Sequence, residues 1–521
     1  MSQPNMHHQV LIDGQWIRED AAAVFSSKDP NTAQAIEGSF PVSSWATCDR
    51  ALEAADAAFR VSRGLDPAKI AAFLEDYASR IQADAQGLVD IAHRETGLAK
   101  TPRLMDVELP RTVNQLRLAA KAAREETWRM PLIDRAANIR SCYIALGPVA
   151  VFGPNNFPFA FNSISGGDFA AAIAAGNPVI AKANSSHPAT SERLGRLVAE
   201  SMQATHMPKG LVQLIYRTSH EDGERLVADL RLGAVGYTGA RQAGLRLKAV
   251  ADRVGKPFYA ELSSVNPVVY LPGALEERCE KLVEEYVASG LMGAGQFCTN
   301  PGLLLMVDGP KAEAFVQGVV SKYQASPAGT LLSQGVETSL VKSLGILTRA
   351  GAECLTGGSK LPGDRCAVSN TVLRITGQEF LKNPHVFQTE AFGNAVLITV
   401  CESVDQIVRL IDSLEGNLTG SIYSDTQGQD DGIYAKVAEA LEHRVGRVLN
   451  DKMPTGVAVS PAMNHGGPYP ATSHPGFTAV GIPASLLRFA KLTCYDAVRE
   501  ARLPRVLQDS NPLNNPSNRQ A

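Results

Sequence analysis

Tyr143-Ile-Ala-Leu-Gly-Pro-Val-Ala-Val-Phe-Gly-Pro-Asn-Asn-Phe-Pro158 is where the chain changes texture. The apolar, β-branched run to Phe152 stops at Gly153-Pro154, as a short buried strand that ends in a turn does. Downstream the pattern repeats with helical stretches between. Asp168–Ala175 reads as helix, Pro178–Lys182 as strand, Ser191–Ala204 as helix and Leu211–Tyr216 as strand. Glu221–Asp229 reads as helix, Ala234–Thr238 as strand, Arg241–Arg253 as helix and Phe258–Leu262 as strand. Such alternation predicts βαβ units and a parallel sheet, with ligands at the carboxyl ends of the strands. A nucleotide-binding layer is the expectation.

Upstream, Thr47 to about Glu126 is rich in Ala, Leu, Arg and Glu at helical spacing. Ala51, Ala54, Ala55 and Ala58, then Ile70, Phe73, Leu74, Tyr77 and Ile81, recur at i, i+3, i+4 steps and are read as core stripes of amphipathic helices. A second α/β unit begins near Glu261, with strands at Val268–Leu271 and Leu303–Val307 around a helix at Leu275–Met292. Alternation continues to about Val459, and Gly/Pro punctuation dominates Pro454–Pro483. No internal repeat is visible.

The 521 residues exceed what one core supports, so two or more domains are expected. Lys plus Arg is 50 and Asp plus Glu 53, a balance that argues against nucleic acid or a membrane surface as partner. No stretch has the length of a membrane span and no secretory leader is visible, which with eight Cys and no C-x-x-C predicts a cytoplasmic protein with reduced thiols. His7-His8 reads as an untidy terminus rather than a metal tract, and the Asn/Pro/Ser-rich stretch from Asp509 reads as a frayed tail.

Five places have residue types suited to chemistry. Cys298, in Gly295-Gln-Phe-Cys-Thr-Asn-Pro-Gly302, sits in a polar turn whose N–H groups can favour a thiolate; alone, an inert cysteine is the stronger reading. Glu261 ends an apolar strand, where a carboxylate is costly unless it meets a polar cavity. A general base and a surface Glu fit it equally. Asn155-Asn156 between prolines suits a turn, or an amide donor for an oxyanion. Lys182 ends a strand, well placed for a phosphate or ribose. Gly236-Tyr-Thr-Gly239-Ala-Arg241-Gln-Ala-Gly244 joins strand to helix, offering N–H groups to a pyrophosphate. It lacks G-x-G-x-x-G, so by spacing the signal is weak.

Together, Pro154-Asn-Asn-Phe-Pro158, Lys182, Tyr237-Thr-Gly239, Glu261-Leu-Ser-Ser, Gly295-Gln-Phe-Cys298-Thr and Glu390-Ala-Phe392-Gly resemble the aldehyde dehydrogenase superfamily, in its motif order and over nearly the whole chain. His465-Gly-Gly-Pro-Tyr-Pro-Ala-Thr472, Phe477-Thr-Ala-Val-Gly481 and Leu507-x-Asp-x-Asn-Pro-Leu513 are similar to its branch of 2-oxoglutarate-semialdehyde and NADP-preferring fatty aldehyde dehydrogenases. The resemblance implies an α/β fold with a Rossmann-type cofactor domain (7–126 and 148–260), a catalytic domain (261–465), a β oligomerisation arm (127–147 and 484–505) and a C-terminal tail (506–521). It also implies a homodimer or homotetramer. Cys298 would attack the aldehyde, Asn156 with the Cys298 N–H would hold the oxyanion, and Glu261 would activate the water that releases a carboxylic acid. Lys182 would bind the adenosine ribose or its 2′-phosphate and Glu390 the nicotinamide ribose, with Phe392 beside the ring. Gly239 and Gly244 would bracket the pyrophosphate turn, with Thr238 among the cofactor contacts. No metal is required.

Asn155, Ala183, Ser263-Ser264 and Asn394 depart from the family pattern without removing a reacting group. Ser185, small and neutral where NAD-preferring members often carry Glu, implies NADP, accepted and preferred over NAD. Arg241 would add a phosphate contact, or be an ordinary solvated arginine. Arg111 or Arg117 would pair with a carboxylate of a short semialdehyde acid such as 2-oxoglutarate semialdehyde; arginines paired with neighbouring Glu fit as well. A medium- or long-chain fatty aldehyde is the runner-up, and a silent binding protein of the same fold is the rival from another class. An acylating dehydrogenase is disfavoured by Glu261. A Cys/His hydrolase is disfavoured because no His partner for Cys298 is evident and the cofactor motifs would go unused.

Overall fold

The Val149–Phe152 run is the third strand of a seven-stranded sheet in the computed structural model, which describes residues 8–511. Across that sheet the strands run Phe258–Glu261, Ala234–Thr238, Val149–Phe152, Val179–Lys182, Val212–Ile215, Val10–Ile12 and Gln15–Ile17. The first five are parallel. Val149–Phe152, Val179–Ala181 and Val212–Ile215 are buried throughout, as strands covered by helices on both faces must be. The last two are an antiparallel hairpin turning at Asp13-Gly14, both at positive φ. That pair fits the twist of a two-residue hairpin turn, and the sequence reading left it unassigned. Strand order reverses at Val149–Phe152, so the crevice of the doubly wound layer opens where Phe152, Lys182 and Thr238 end.

The helical stretch upstream resolves into Trp45–Ser62, Pro67–Ala83, Ala85–Thr96 and Leu109–Glu125. Ser44 and Asp66 cap the first two with their side chains, satisfying N–H groups that a helix start leaves free. The Ile70, Phe73, Leu74, Tyr77, Ile81 stripe is buried against the sheet's core.

The second unit is also a seven-stranded sheet, ordered Glu353–Thr356, Thr371–Thr376, Ala395–Cys401, Leu303–Val307, Pro267–Tyr270, Gly420–Tyr423 and Val448–Asn450. All neighbours are parallel except the first pair. A smaller sheet joins Leu132–Asp134, Ile139–Ala145 and Ala490–Asp496, all antiparallel. One face of it carries Ile133, Cys142 and Tyr495, packed under Leu503, Val506 and Leu507. The C-terminal tail as drawn from 506 therefore starts with two core residues. Asp509 accepts from Arg140 at 3.0 Å rather than fraying; residues 512–521 lie outside the described region. His8 stacks on Phe40 and pairs with Glu192, so it is part of the fold; His7 lies outside the described residues. Among the described residues no helix is long and apolar enough to cross a membrane.

Candidate active site

Glu261 is the last residue of a strand that a later segment crosses. Leu262 N–H donates to the Ala471 carbonyl at 2.8 Å and the Ala260 N–H to Ser473 Oγ at 2.8 Å. This crossing, with the Glu261–Thr472 bridge, lays the Gly/Pro-rich stretch over the strand end and brings His465 to Glu261. Gly239 N–H donates to the Glu261 carbonyl at 3.2 Å, so the Thr238-Gly239 turn also meets here.

Cys298 stands in a loop wound by three consecutive left-handed residues, Gly293, Ala294 and Gly295. A β-carbon on Gly295 would sit 2.0 Å from the Gly393 carbonyl oxygen. Only glycine allows this approach, and it presses the cysteine loop against the Glu390-Ala-Phe-Gly segment. The Asn266 amide donates to both the Cys298 and Asn300 carbonyls at 2.9 Å. Ser264 Oγ donates to Asn266 Oδ1 at 2.8 Å and accepts from the Leu418 N–H at 2.9 Å. The serine that replaces a family glycine is thus a bracing residue.

Two elements meet over these loops. Cys298 Sγ lies 3.4 Å from His465 Nε2, and the same nitrogen lies 3.2 Å from Glu261 Oε1. The sequence-based expectation that Cys298 has no His partner is corrected: the two are distant in the chain, and the strand crossing joins them. Burial pushes the Glu261 carboxyl up, but His465, Cys298 and Arg111 outweigh it and the net shift is downward. Burial, then the Glu261 charge, pushes the Cys298 thiol well above its ordinary value. At rest the pair is therefore a thiol beside a carboxylate. The Asn156 amide donates to the Gln296 carbonyl at 3.1 Å, two residues before the cysteine.

At the crevice, Lys182 has no carboxylate partner among the described residues, and burial, then Arg217, lowers its ammonium to about 8. Asn184 Nδ2 donates to the Gly153 carbonyl at 3.0 Å, which ties the Lys182–Ser185 turn to the Gly153-Pro154 turn. Glu390 and Phe392 line one cavity with Ser264, Gly295 and Phe297. Burial, then the Glu261 charge, raises the Glu390 carboxyl to about 8, against a Ser264 N–H that lowers it. Gly244 packs under Leu262 and Tyr237, where a β-carbon would come within 2.3 Å of Leu262. An unpaired ammonium, a helix Arg241–Arg253 whose start has no side-chain cap and a buried carboxyl in Glu390 fit a nicotinamide dinucleotide.

Two arginine expectations change. Arg241 is bound to Glu415 at 2.7 and 3.3 Å rather than free for a phosphate; Arg217 is the guanidinium beside Lys182. Arg117 is exposed and donates to Gln82 at 2.8 Å, away from the cysteine. Arg111 points inward. Its Nε donates to Gln115 at 3.0 Å, one terminal nitrogen is buried without a partner, and the guanidinium lies over Phe161 at 5.1 Å. Arg447, unread in the sequence, donates to the Pro454 carbonyl at 2.8 Å. Arg111 and Arg447 are both electrostatically coupled to Cys298 and would favour its thiolate. Neither has a carboxylate in an ion pair among the described residues. No local motif marks Arg447 or His465 as functional; long-range packing assembles them.

A doubly wound sheet with an unpaired lysine at its crevice, and a cysteine held between a histidine and a carboxylate at its edge, defines a nucleotide-dependent oxidoreductase with a thiol at its centre. Residues 16–468 match the aldehyde dehydrogenase family. The chain belongs to that family and is an NAD(P)-dependent aldehyde dehydrogenase. It is 39% identical over 505 residues, 95% of each chain, to alpha-ketoglutaric semialdehyde dehydrogenase 2 of Azospirillum brasilense. It is 35% identical over 478 residues, 89% of each chain, to the alpha-ketoglutaric semialdehyde dehydrogenase of Acinetobacter baylyi. In fold it is similar to the lactaldehyde dehydrogenase of Escherichia coli, with a TM-score of 0.81 at 20% identity over 94% of this chain and 99% of that one.

Proposed function

We propose that this enzyme oxidises a short semialdehyde acid, 2-oxoglutarate semialdehyde in particular, to the dicarboxylic acid, and that it prefers NADP to NAD. The observation that carries the substrate reading is Arg111. Its buried terminal nitrogen lacks a partner while its charge is felt at Cys298. A buried guanidinium without an anion is costly, and a carboxylate arriving with the aldehyde removes that cost. Arg447 supplies a second cation coupled electrostatically to the same thiol. The names of the two relatives agree with this reading.

Cys298 is the nucleophile. Its thiol is raised, so it needs a base to attack, and His465 Nε2 is within reach of the proton and relays it to Glu261. The thiolate adds to the carbonyl and forms a thiohemiacetal. Asn156 and the Cys298 N–H hold the oxyanion, with the Asn156 amide leaving its resting bond to Gln296 to do so. A nicotinamide held there would accept the hydride of the thiohemiacetal carbon, and Cys298 would then carry the acyl group as a thioester. Once Glu261 has released the relayed proton to solvent, it takes a proton from water; the water oxygen attacks the thioester, the acid is freed and the Cys298 sulfur leaves, regaining its proton from Glu261.

Lys182 and Arg217 together suit a 2′-phosphate, and neutral Ser185 does not repel one; Glu390, which lines one cavity with Phe392, would accept from the nicotinamide ribose. Thr238, Gly239 and Gly244 shape the pyrophosphate turn. The free cysteines, with no disulfide among the described residues, support a cytoplasmic setting. The small sheet supports a homodimer or homotetramer. Its outer face exposes Leu132, Ile139 and Leu492, and its edge strands are unpaired among the described residues.

The test is reduced-cofactor formation by purified protein with NADP and with NAD. The aldehydes run from 2-oxoglutarate and succinate semialdehydes to medium-chain alkanals, with Cys298→Ala as control. Best turnover with the semialdehyde acids and NADP, lost in the variant, is expected. Turnover that survives in Cys298→Ala would remove the thiol mechanism, and a best rate with alkanals would remove the carboxylate reading.

A further inference from the structure

The ligating atoms of Cys298, His465 and Glu261 all lie within 4.8 Å of one another. Two of the separations, 3.4 Å from sulfur to nitrogen and 3.2 Å from nitrogen to oxygen, match ligand edges of a tetrahedral zinc site. With bonds of about 2.0 Å to N and O and about 2.3 Å to S, those edges are about 3.3–3.5 Å. Glu261 Oε2, fully buried, makes no hydrogen bond of its own. It faces His465 at 3.1 Å, and a lone pair is left over. A thiol, an imidazole and a carboxylate are the ligand types that zinc takes.

We propose that these three side chains form an inhibitory site for a thiophilic divalent cation, with Zn2+ as the fitting ion. Binding is a ligand exchange without electron transfer. The Cys298 S–H bond breaks, its proton leaves to solvent, and a sulfur–metal bond forms, while His465 Nε2 and one Glu261 oxygen supply their lone pairs. The two anionic ligands balance the cation's charge, and a small rotation of Glu261 closes the sulfur–oxygen edge. A fourth position stays open to water. Nucleophile, relay and base are all occupied at once, so the ion stops turnover, and a chelator restores it.

The test uses the purified full chain without cofactor or aldehyde, so it stands apart from the catalytic reading. Co2+ is the optical probe. One equivalent is expected to give a thiolate-to-metal charge-transfer band that Zn2+ abolishes by displacement. Cys298→Ser removes the band, and His465→Gln weakens Zn2+ binding about tenfold or more, with circular dichroism confirming that both variants fold. On the unaltered chain, Zn2+ protects Cys298 from iodoacetamide, read by peptide mass spectrometry, and a chelator reverses the protection. A band unchanged in both variants would assign the metal to another cysteine and overturn the proposal. So would alkylation of Cys298 at the same rate with Zn2+ present. Metal binding without aldehyde turnover would keep this inference and sink the catalytic one.

Discussion

His465 Nε2 stands 3.4 Å from Cys298 Sγ and 3.2 Å from Glu261 Oε1, so a single imidazole nitrogen joins the proposed nucleophile to its proposed base. Burial and the Glu261 charge raise the thiol, and without a relay it must ionise unaided. His465→Gln is therefore expected to lower kcat/KM about 100-fold at neutral pH, the low end of general acid–base contributions. The sign of the pH effect separates chemistry from positioning. A raised thiol ionises only as pH rises, so the variant should recover part of its rate at alkaline pH. A loss equal at all pH values, read from kcat/KM profiles, would make His465 a packing residue.

Arg111 and Arg447 are the arginines coupled electrostatically to the thiol. Arg111→Ala and Arg447→Ala each remove a hydrogen bond to a charged group, worth roughly 1.5–3 kcal/mol, or about 10- to 100-fold. The loss should fall on KM for semialdehyde acids and leave alkanals nearly unchanged. Arg117→Ala, whose side chain bonds Gln82 on the surface, should behave as the parent. Equal losses for acids and alkanals in the inward variants would mean that these arginines only shape the site.

How much of this was legible in the sequence follows from the range of each interaction. Parallel strands of four or five apolar residues carry their own signal, so Ala234–Thr238 and Leu303–Val307 are read to the residue. The Val10–Ile17 hairpin carries little signal because three-residue strands are too short for periodicity, although Asp13-Gly14 is a turn signal. Cys298 and Glu261 stand in local motifs that announce a turn and a strand end. His465 gains its meaning only from the backbone bonds that lay 471–473 across the Glu261 strand. Arg241, well placed by motif, is diverted by Glu415, 174 positions away. Sequence spacing cannot report such a competitor.

Cofactor choice should depend on pH in a way that isolates one group. Burial lowers Lys182 to about 8, so in the free enzyme its charge is present below that pH and lost above it. Glu390, raised to about 8, ionises in the same range but meets a ribose that both cofactors share, so it cancels in their ratio. The Kd ratio of NAD to NADP, measured by fluorescence titration, should fall as pH rises through about 8. Arg217→Ala should lower the ratio about tenfold, one phosphate contact's worth, whereas Arg241→Ala should not change it. The opposite ranking of the two variants would return the phosphate to Arg241.

Assembly is the last expectation, and it follows from strand alternation. In the sheet of Leu132–Asp134, Ile139–Ala145 and Ala490–Asp496, Leu132 pairs with Ser141 and Leu492 with Tyr143. Residues two apart share a face, so Leu132 and Leu492 lie together, opposite the face that Leu503, Val506 and Leu507 cover. Leu132 is 65% and Leu492 58% exposed in the single chain. Burying a leucine fully is worth about 1.5–3 kcal/mol, and in a two-fold interface each substitution counts twice. Leu492→Glu should therefore weaken association by about 3 kcal/mol or more and shift the sedimenting species to half the parent's mass at micromolar concentration. The active-site cluster is built from other elements, so cofactor binding by the dissociated chain should persist. A parent that sediments as a monomer at that concentration would remove the interface altogether.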